Sequence, residues 1–141
     1  MKMELQFRSL REGHGADRQV VSIGGGALPT ESDAVRVGDL LWIGGQIAAD
    51  FNGPTTDGGV DAELDYIFGR IASLCAEGES SMSDLLRVRA FVTNEAAGYA
   101  FYAKLKATIP NDPPVSAVVV VPPPLHIPGC SITVDAVAYV Q

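Results

Sequence analysis

The sequence predicts an α+β fold, a single mixed sheet carrying two helices on one of its faces. Three observations predict it. Two segments repeat apolar residues at the 3.6-residue period of a helix, and the other apolar segments alternate or run as β-branched stretches. The order along the chain is strands, helix, strand, helix, strand, strand, which sets both helices against one sheet.

Leu5 to Leu10 reads as a short strand and Val20-Val21-Ser22-Ile23 as another, ended by Gly24, Gly25 and Gly26. Ala34-Val35-Arg36-Val37, a Gly38-Asp39 turn and Leu40-Leu41-Trp42-Ile43 form a hairpin signature, and Gly44-Gly45-Gln46 ends its second strand. The polar stretch from Asp50 to Gly59 reads as loop. Leu64, Ile67, Phe68, Ile71, Leu74 and Cys75 then fall on one helical face, with Glu63, Asp65, Arg70 and Ser73 off it. Asp61 is the expected N-cap and Gly78 the expected residue beyond the C-cap. Gly69 inside this helix costs about 1 kcal/mol relative to Ala, so a close approach to the sheet is expected there.

From Leu85 to Thr93 the pattern alternates, with Val88, Ala90 and Val92 facing one way and Arg87, Arg89, Phe91 and Thr93 the other. A second helix is expected from Glu95 to Ile109, with Phe101, Tyr102, Leu105 and Ile109 inward, stopped by the prolines from Pro110 to Pro114. Val115 to Val121 is a β-branched run and reads as a buried strand. Pro122-Pro123-Pro124 halts it, and Ile132 to Val140 is the last strand. Leu, Trp, Ile and Val on the sheet face away from the helices would be left in water, which implies oligomerisation.

The 141 residues fit one domain, 1–141, with an apolar fraction of 47% that excludes a disordered chain. A net charge of −7 disfavours nucleic-acid backbones and anionic membrane surfaces. Apolar runs fall short of a membrane span, the amino end lacks a signal-peptide core, and two cysteines are too few for a disulfide scaffold. A cytoplasmic protein is expected. No phosphate loop follows from Gly24-Gly25-Gly26, because no Lys-Ser/Thr pair comes after it. His126 and Cys130 lie four apart, but with two histidines in the chain no metal site is assigned, and no cofactor is expected. Cys130 lacks an evident base and reads as a structural thiol, as does Cys75 on its helix stripe. Ser80 to Asp84 is loop and cap chemistry. Arg87 and Arg89 are either salt-bridged or, at an oligomer interface, able to clamp a carboxylate. Spacing alone shows no catalytic constellation.

Four segments in order, "AVRVGDLLWIGGQI" (Ala34 to Ile47), "SMSDLLRVRAFVTN" (Ser81 to Asn94), the Pro113-Pro114 loop and "PGCSITVDAVAYV" (Pro128 to Val140), resemble the Rid family, also called YjgF or L-PSP endoribonuclease. The first 33 residues diverge from it. The resemblance implies a chorismate-mutase-like sheet-and-helix unit assembled as a homotrimer around a central barrel. It also implies small-molecule sites in the clefts between subunits, where enamines and imines are hydrolysed to 2-keto acids and ammonia. Carried over, the ligand-binding positions are Gly44, Gly45 and Gln46 in the turn, Tyr99 on the second helix, Val115 and Ala117 on the penultimate strand, and Cys130 and Thr133 near the last strand.

The departures matter more than the match. Val115 stands where the family has its carboxylate-binding arginine, Ala117 where many members have cysteine, and Thr133 where a glutamate positions water. Gly44 replaces the turn serine, and Glu31 falls where a tyrosine is common. The loop between the last two strands is longer than in the family and is filled by Pro122-Pro123-Pro124-Leu125-His126. An arginine fork gives charge-assisted hydrogen bonds worth about 1.5–3 kcal/mol each, and valine gives none. Either the ligand lacks a carboxylate or another cation, Arg89 or Arg36, replaces the fork. Glu31 and His126 are the candidate acid and base. A divergent enzyme on a small imine, enamine or carbonyl metabolite is one reading, and a non-catalytic metabolite-binding or scaffold trimer with a decayed site is the other. A related subunit that kept its arginine would complete shared sites in a mixed trimer. The acidic charge argues against ribonuclease activity.

Overall fold

The computed structural model describes residues 17–28 and 30–141, so the strand expected at Leu5 to Leu10 lies outside the described residues. Eight strands and two helices follow: β1 (Arg18–Val21), β2 (Ala34–Val37), β3 (Leu40–Ile47), β4 (Ala49–Asp50), β5 (Gly53–Pro54), α1 (Gly59–Glu77), β6 (Leu85–Val92), α2 (Glu95–Thr108), β7 (Val115–Val120) and β8 (Ile132–Tyr139). Six of the strands form one sheet in the order β1-β2-β3-β8-β6-β7. Only the β6–β7 pair in it is parallel, as expected for strands joined through a helix. Helix α1 packs on β3 and β8, and α2 on β6 and β7. The core between sheet and helices is built from the alternating residues read from the sequence: Val88, Ala90 and Val92 of β6 meet Ile67, Ile71 and Leu74 of α1 and Phe101 of α2 in one buried cluster.

The hairpin forms as expected, with Val37 paired to Leu40 and Gly38 at φ +57, a backbone region that glycine enters without steric cost. The strand does not end at Gly44, however. β3 runs on to Ile47 through a register shift between Ile43 and Gln46, a bulge that the two glycines permit. The Asp50–Gly59 loop contains the small β4–β5 hairpin, whose turn is closed by the Asn52 amide donating to Asp50 Oδ1 at 2.8 Å.

Helix ends differ in detail from the sequence expectation. Gly58 is the N-cap of α1, and Asp61 lies inside the first turn, where its charge suits the helix dipole. At the other end Gly78 has φ −87, and it is Glu79, at φ +63, that takes the left-handed conformation. Gly78 is required for a different reason: a Cβ there would lie 2.7 Å from the buried Leu41 side chain. Gly69 makes no close approach, since it is exposed and a Cβ on it would meet nothing within 4 Å. Glu63, off the apolar stripe, is nonetheless buried and accepts the Ser131 amide at 2.7 Å. Helix α2 is capped by Asn94, which accepts from the Ala97 amide at 2.9 Å. Tyr102 faces outward at 44% exposure, not inward, and leans its ring on Phe101.

The Val115–Val121 run corrects the expectation of a buried strand. β7 is the edge of the sheet and Val115 is 70% exposed. Val115, Ala117 and Val119 share the helix-free face with Trp42 and Tyr139 while Val118 packs against the core under α2, so an open apolar face is present as the composition of the strands implied.

The two α1 glycines give opposite predictions. Gly69→Ala stabilises the protein by up to about 1 kcal/mol by removing backbone freedom at an open site. Gly78→Ala destabilises it by about 1–3 kcal/mol through overpacking against Leu41. Urea denaturation of the two variants against the parent checks both signs.

Candidate functional site

The bulge in β3 creates a small cleft. Its floor is the Gly44–Ile47 segment, one wall is built from Gly26–Leu28 and Glu31–Asp33, and Arg70 of α1 reaches in from the helix layer. Arg70 is the organising side chain. Its Nε donates to Gln46 Oε1 at 2.9 Å, one terminal nitrogen to the Gly24 carbonyl at 2.8 Å and the other to Asp33 Oδ1 at 3.0 Å. The Arg70 and Asp33 side chains are only 12% and 13% exposed. Asp33 Oδ2 in turn accepts from the Ser22 hydroxyl at 3.1 Å and the Ile23 amide at 3.2 Å. Gln46 closes the circuit by donating from Nε2 to the Gly44 carbonyl at 3.1 Å. The turn that would face a ligand is thus held by a cation whose charge is already met by an internal carboxylate.

The structure brings some of the expected positions together. Gly44, Gly45 and Gln46 line the cleft with Glu31, which is exposed at its rim. Thr133 lies against the same turn: its hydroxyl donates to the Gln46 carbonyl at 3.1 Å, and a Cβ on Gly45 would sit 3.1 Å from it. Other positions stand apart within the chain. Tyr99 is 73% exposed on α2. Val115 and Ala117 lie on β7, paired across to Arg87 and Arg89. His126 is exposed on the loop before β8 and does not line the cleft. Of the proposed replacement cations, Arg36 pairs with Glu79 at 2.7 Å, and Arg89 donates twice to Asp135 Oδ2, at 3.1 and 2.7 Å, with its guanidinium 5.1 Å from the Phe91 ring centroid. The Asp135 bond holds the Arg89 guanidinium even more firmly in its charged form. Neither reaches the cleft lining. The cation that does, Arg70, was passed over in the sequence as one more polar residue off a helix stripe.

Cys130 is buried against Ile47, Ala49 and Leu125, with its thiol 3.6 Å from the Ala48 carbonyl. Burial, with Glu63 nearby, pushes its pKa upward. Burial, with a smaller contribution from Asp84, pushes Cys75 from 9.0 to about 11. Neither environment favours a thiolate nucleophile. Among the described residues no group of three or more His, Cys, Asp or Glu is placed to hold a metal ion, and no helix is long and apolar enough to cross a membrane.

Three predictions follow from these contacts. Arg70→Met leaves Asp33 without its counter-charge and Gln46 and Gly24 without a donor. It should cost about 2–4 kcal/mol by urea denaturation, below the full range for buried pairs because some exposure remains. The thiols should be silent to a disulfide reagent at pH 8 in the native protein and react on unfolding. Because the folded state raises the Cys75 pKa, its neutral-thiol contribution is intact below pH 9 and is lost as the pH rises towards about 11, which the pH dependence of stability in the parent against Cys75→Ala checks.

Comparison with known proteins agrees with this fold. Solved structures with the same architecture include RidA from the Antarctic bacterium Psychrobacter (21% identity, TM-score 0.76, covering 86% of this chain and 99% of that one). They also include Rv2704 of Mycobacterium tuberculosis, a YjgF/YER057c/UK114 family member (25%, 0.74, 87% and 99%), and the YjgF gene product of Escherichia coli (15%, 0.74, 87% and 99%). The unit is the chorismate-mutase-like α+β fold of those proteins, one main sheet with two helices. No curated protein matches the chain by sequence. The model of the family described as endoribonuclease L-PSP matches residues 28–140, and with that match spanning most of the sequence, the chain belongs to the Rid/YjgF (L-PSP) family.

Proposed function

We propose that this protein is a divergent Rid-family trimer acting on a small imine, enamine or carbonyl metabolite whose bound end carries no carboxylate, and that it is not a standard 2-iminopropionate deaminase. The observation that carries this reading is the state of Arg70. Among the described residues the one cation lining the cleft is neutralised by Asp33, and Glu31 adds a negative charge at the rim. A carboxylate entering there would meet no unspent guanidinium and would lose its hydration, at a cost of several kcal/mol. A neutral or protonated imine meets backbone groups of the Gly44–Gln46 turn and the Glu31 carboxylate instead.

In this reading Glu31 is the acid/base, in reach of the cleft from its rim, and His126 acts from its exposed loop across the subunit boundary. The divergent segment 1–33 supplies the wall from Gly26 to Asp33. Assembly as a homotrimer in the cytoplasm would cover the apolar face that carries Trp42, Val115 and Tyr139, and would extend each cleft with the neighbouring subunit's Tyr99, Val115 and Ala117. One observation favours the second reading, a non-catalytic metabolite-binding trimer: the Thr133 hydroxyl has already donated its one hydrogen to the Gln46 carbonyl and, unlike a carboxylate, cannot take a proton from an attacking water.

The test is a coupled assay in which an amino-acid oxidase makes 2-iminopropionate and semicarbazide traps what is not hydrolysed, run on protein shown by sedimentation to be trimeric. No acceleration is expected. A set of uncharged imines and carbonyl compounds should instead raise the melting temperature saturably, and turnover of any that react should vanish in Glu31→Ala with the trimer intact. Acceleration of 2-iminopropionate hydrolysis would overturn the proposal, and binding without turnover would decide for the second reading.

A further inference from the structure

The lining of the cleft is chemically divided. Glu31, Ser32, Asp33 and the Gly44–Gln46 turn make one part of it polar, and Ala27, Leu28, Ile47 and Ala49 make another part apolar. Three of these apolar residues have a second role. Ile47 and Ala49, with Ala27 packed against them, belong to a small buried cluster separate from the main core. The rest of that cluster, Leu125 and Cys130 with Val121 and Ile127, comes from the chain between β7 and β8 and does not line the cleft. The apolar wall of the cleft is therefore backed by this chain segment.

Within Pro122 to His126 only Leu125 is buried, while its neighbours are exposed. The segment that carries it is fixed at both ends. The Val121 amide donates to the Val92 carbonyl at 2.8 Å, and the Ser131 amide donates to Glu63 at 2.7 Å. The Ala48 carbonyl, between Ile47 and Ala49, accepts the Thr55 amide at 2.9 Å and the Cys130 thiol at 3.6 Å. Gly129, at φ +94, lies so close to Pro54 that a Cβ on it would sit 3.2 Å from the proline ring. A close-packed leucine on a segment tied in this way does not yield to a ligand atom, so the apolar part of the cleft has a fixed depth.

We infer that the apolar part of the cleft seats a short aliphatic tail of the ligand, and that Leu125 is the positioning residue that sets how long this tail can be. The inference rests on the reading given under Proposed function, in which the imine or carbonyl head lies at Glu31 and the Gly44–Gln46 turn. Leu125 acts through Ile47, which can turn into vacated space, whereas Ala49 has only a methyl group to move. One methylene more or less in an apolar pocket changes selection by about 10–200-fold, so a single leucine in the supporting layer is enough to set a limit.

The probe is a series of methyl ketones from butan-2-one to nonan-2-one, all uncharged, with affinity read by titration calorimetry and folding by circular dichroism. In the parent, affinity should rise with each methylene and then fall abruptly. Leu125→Ala removes three carbons and should move that fall by about two carbons, binding the first ketone the parent rejects at least about ten-fold more tightly. Leu125→Met, of similar volume, should keep the parent limit. Leu125→Val should move it by about one carbon and covers the case in which the alanine variant fails to fold. Leu105→Ala opens a cavity in the main core and should leave the limit where it is. The same limit in the parent and in every truncated Leu125 variant that folds would overturn the inference and leave the reading of the cleft standing. Affinity that climbs to the longest ketone in the parent would overturn it too. No saturable binding of any ketone by the folded parent would overturn that reading and the inference with it.

Discussion

The arrangement around the cleft depends on one buried guanidinium. Arg70 ties α1 to three segments that also meet through Asp33: the glycine-rich exit of β1, the residue leading into β2, and the bulge in β3. A helix, a loop and a sheet edge are thereby referred to a single planar group whose donor geometry is rigid. Asp33 makes the arrangement affordable, because a guanidinium this enclosed without a carboxylate would be expelled towards water. Two backbone features complete it, a glycine pair able to bulge and a Gly24–Gly25 turn in left-handed conformation.

That dependence links fold and chemistry. The main core of the domain, between helices and sheet, is ordinary close packing of apolar residues. The polar circuit sits at its margin, where β3 leaves regular pairing. A cation that in another context could hold a ligand is here spent on holding the scaffold.

Much of the fold was legible in the sequence because it rests on local periodicity. The Gly38-Asp39 hairpin, the apolar stripe of α1 and the alternation of β6 each need only a few adjacent residues to be read. What was not legible rests on distance. Arg70 meets partners 24, 37 and 46 residues away, and no period marks such a residue as anything but a solvated one. Glu63 escaped for the same reason, being buried by a loop far along the chain. The β-branched run of β7 was read as buried because strands of that composition are usually covered on both faces, but this chain supplies a cover for only one. Gly69 was credited with a packing role that belongs to Gly78, because composition cannot tell which side of a helix lacks a neighbour.

The spacing of the Arg70 contacts also orders events during synthesis. The wall from Gly24 to Asp33 leaves the ribosome before its anchor has been made, and β3 waits some two dozen residues for the same side chain. Until α1 exists, the emerging strands can pair with each other but cannot take up the bulged, glycine-turned shape of the cleft. The shape of the cleft is therefore among the last things the nascent amino-terminal half acquires. A chain released before the first helix would carry its strands without a site.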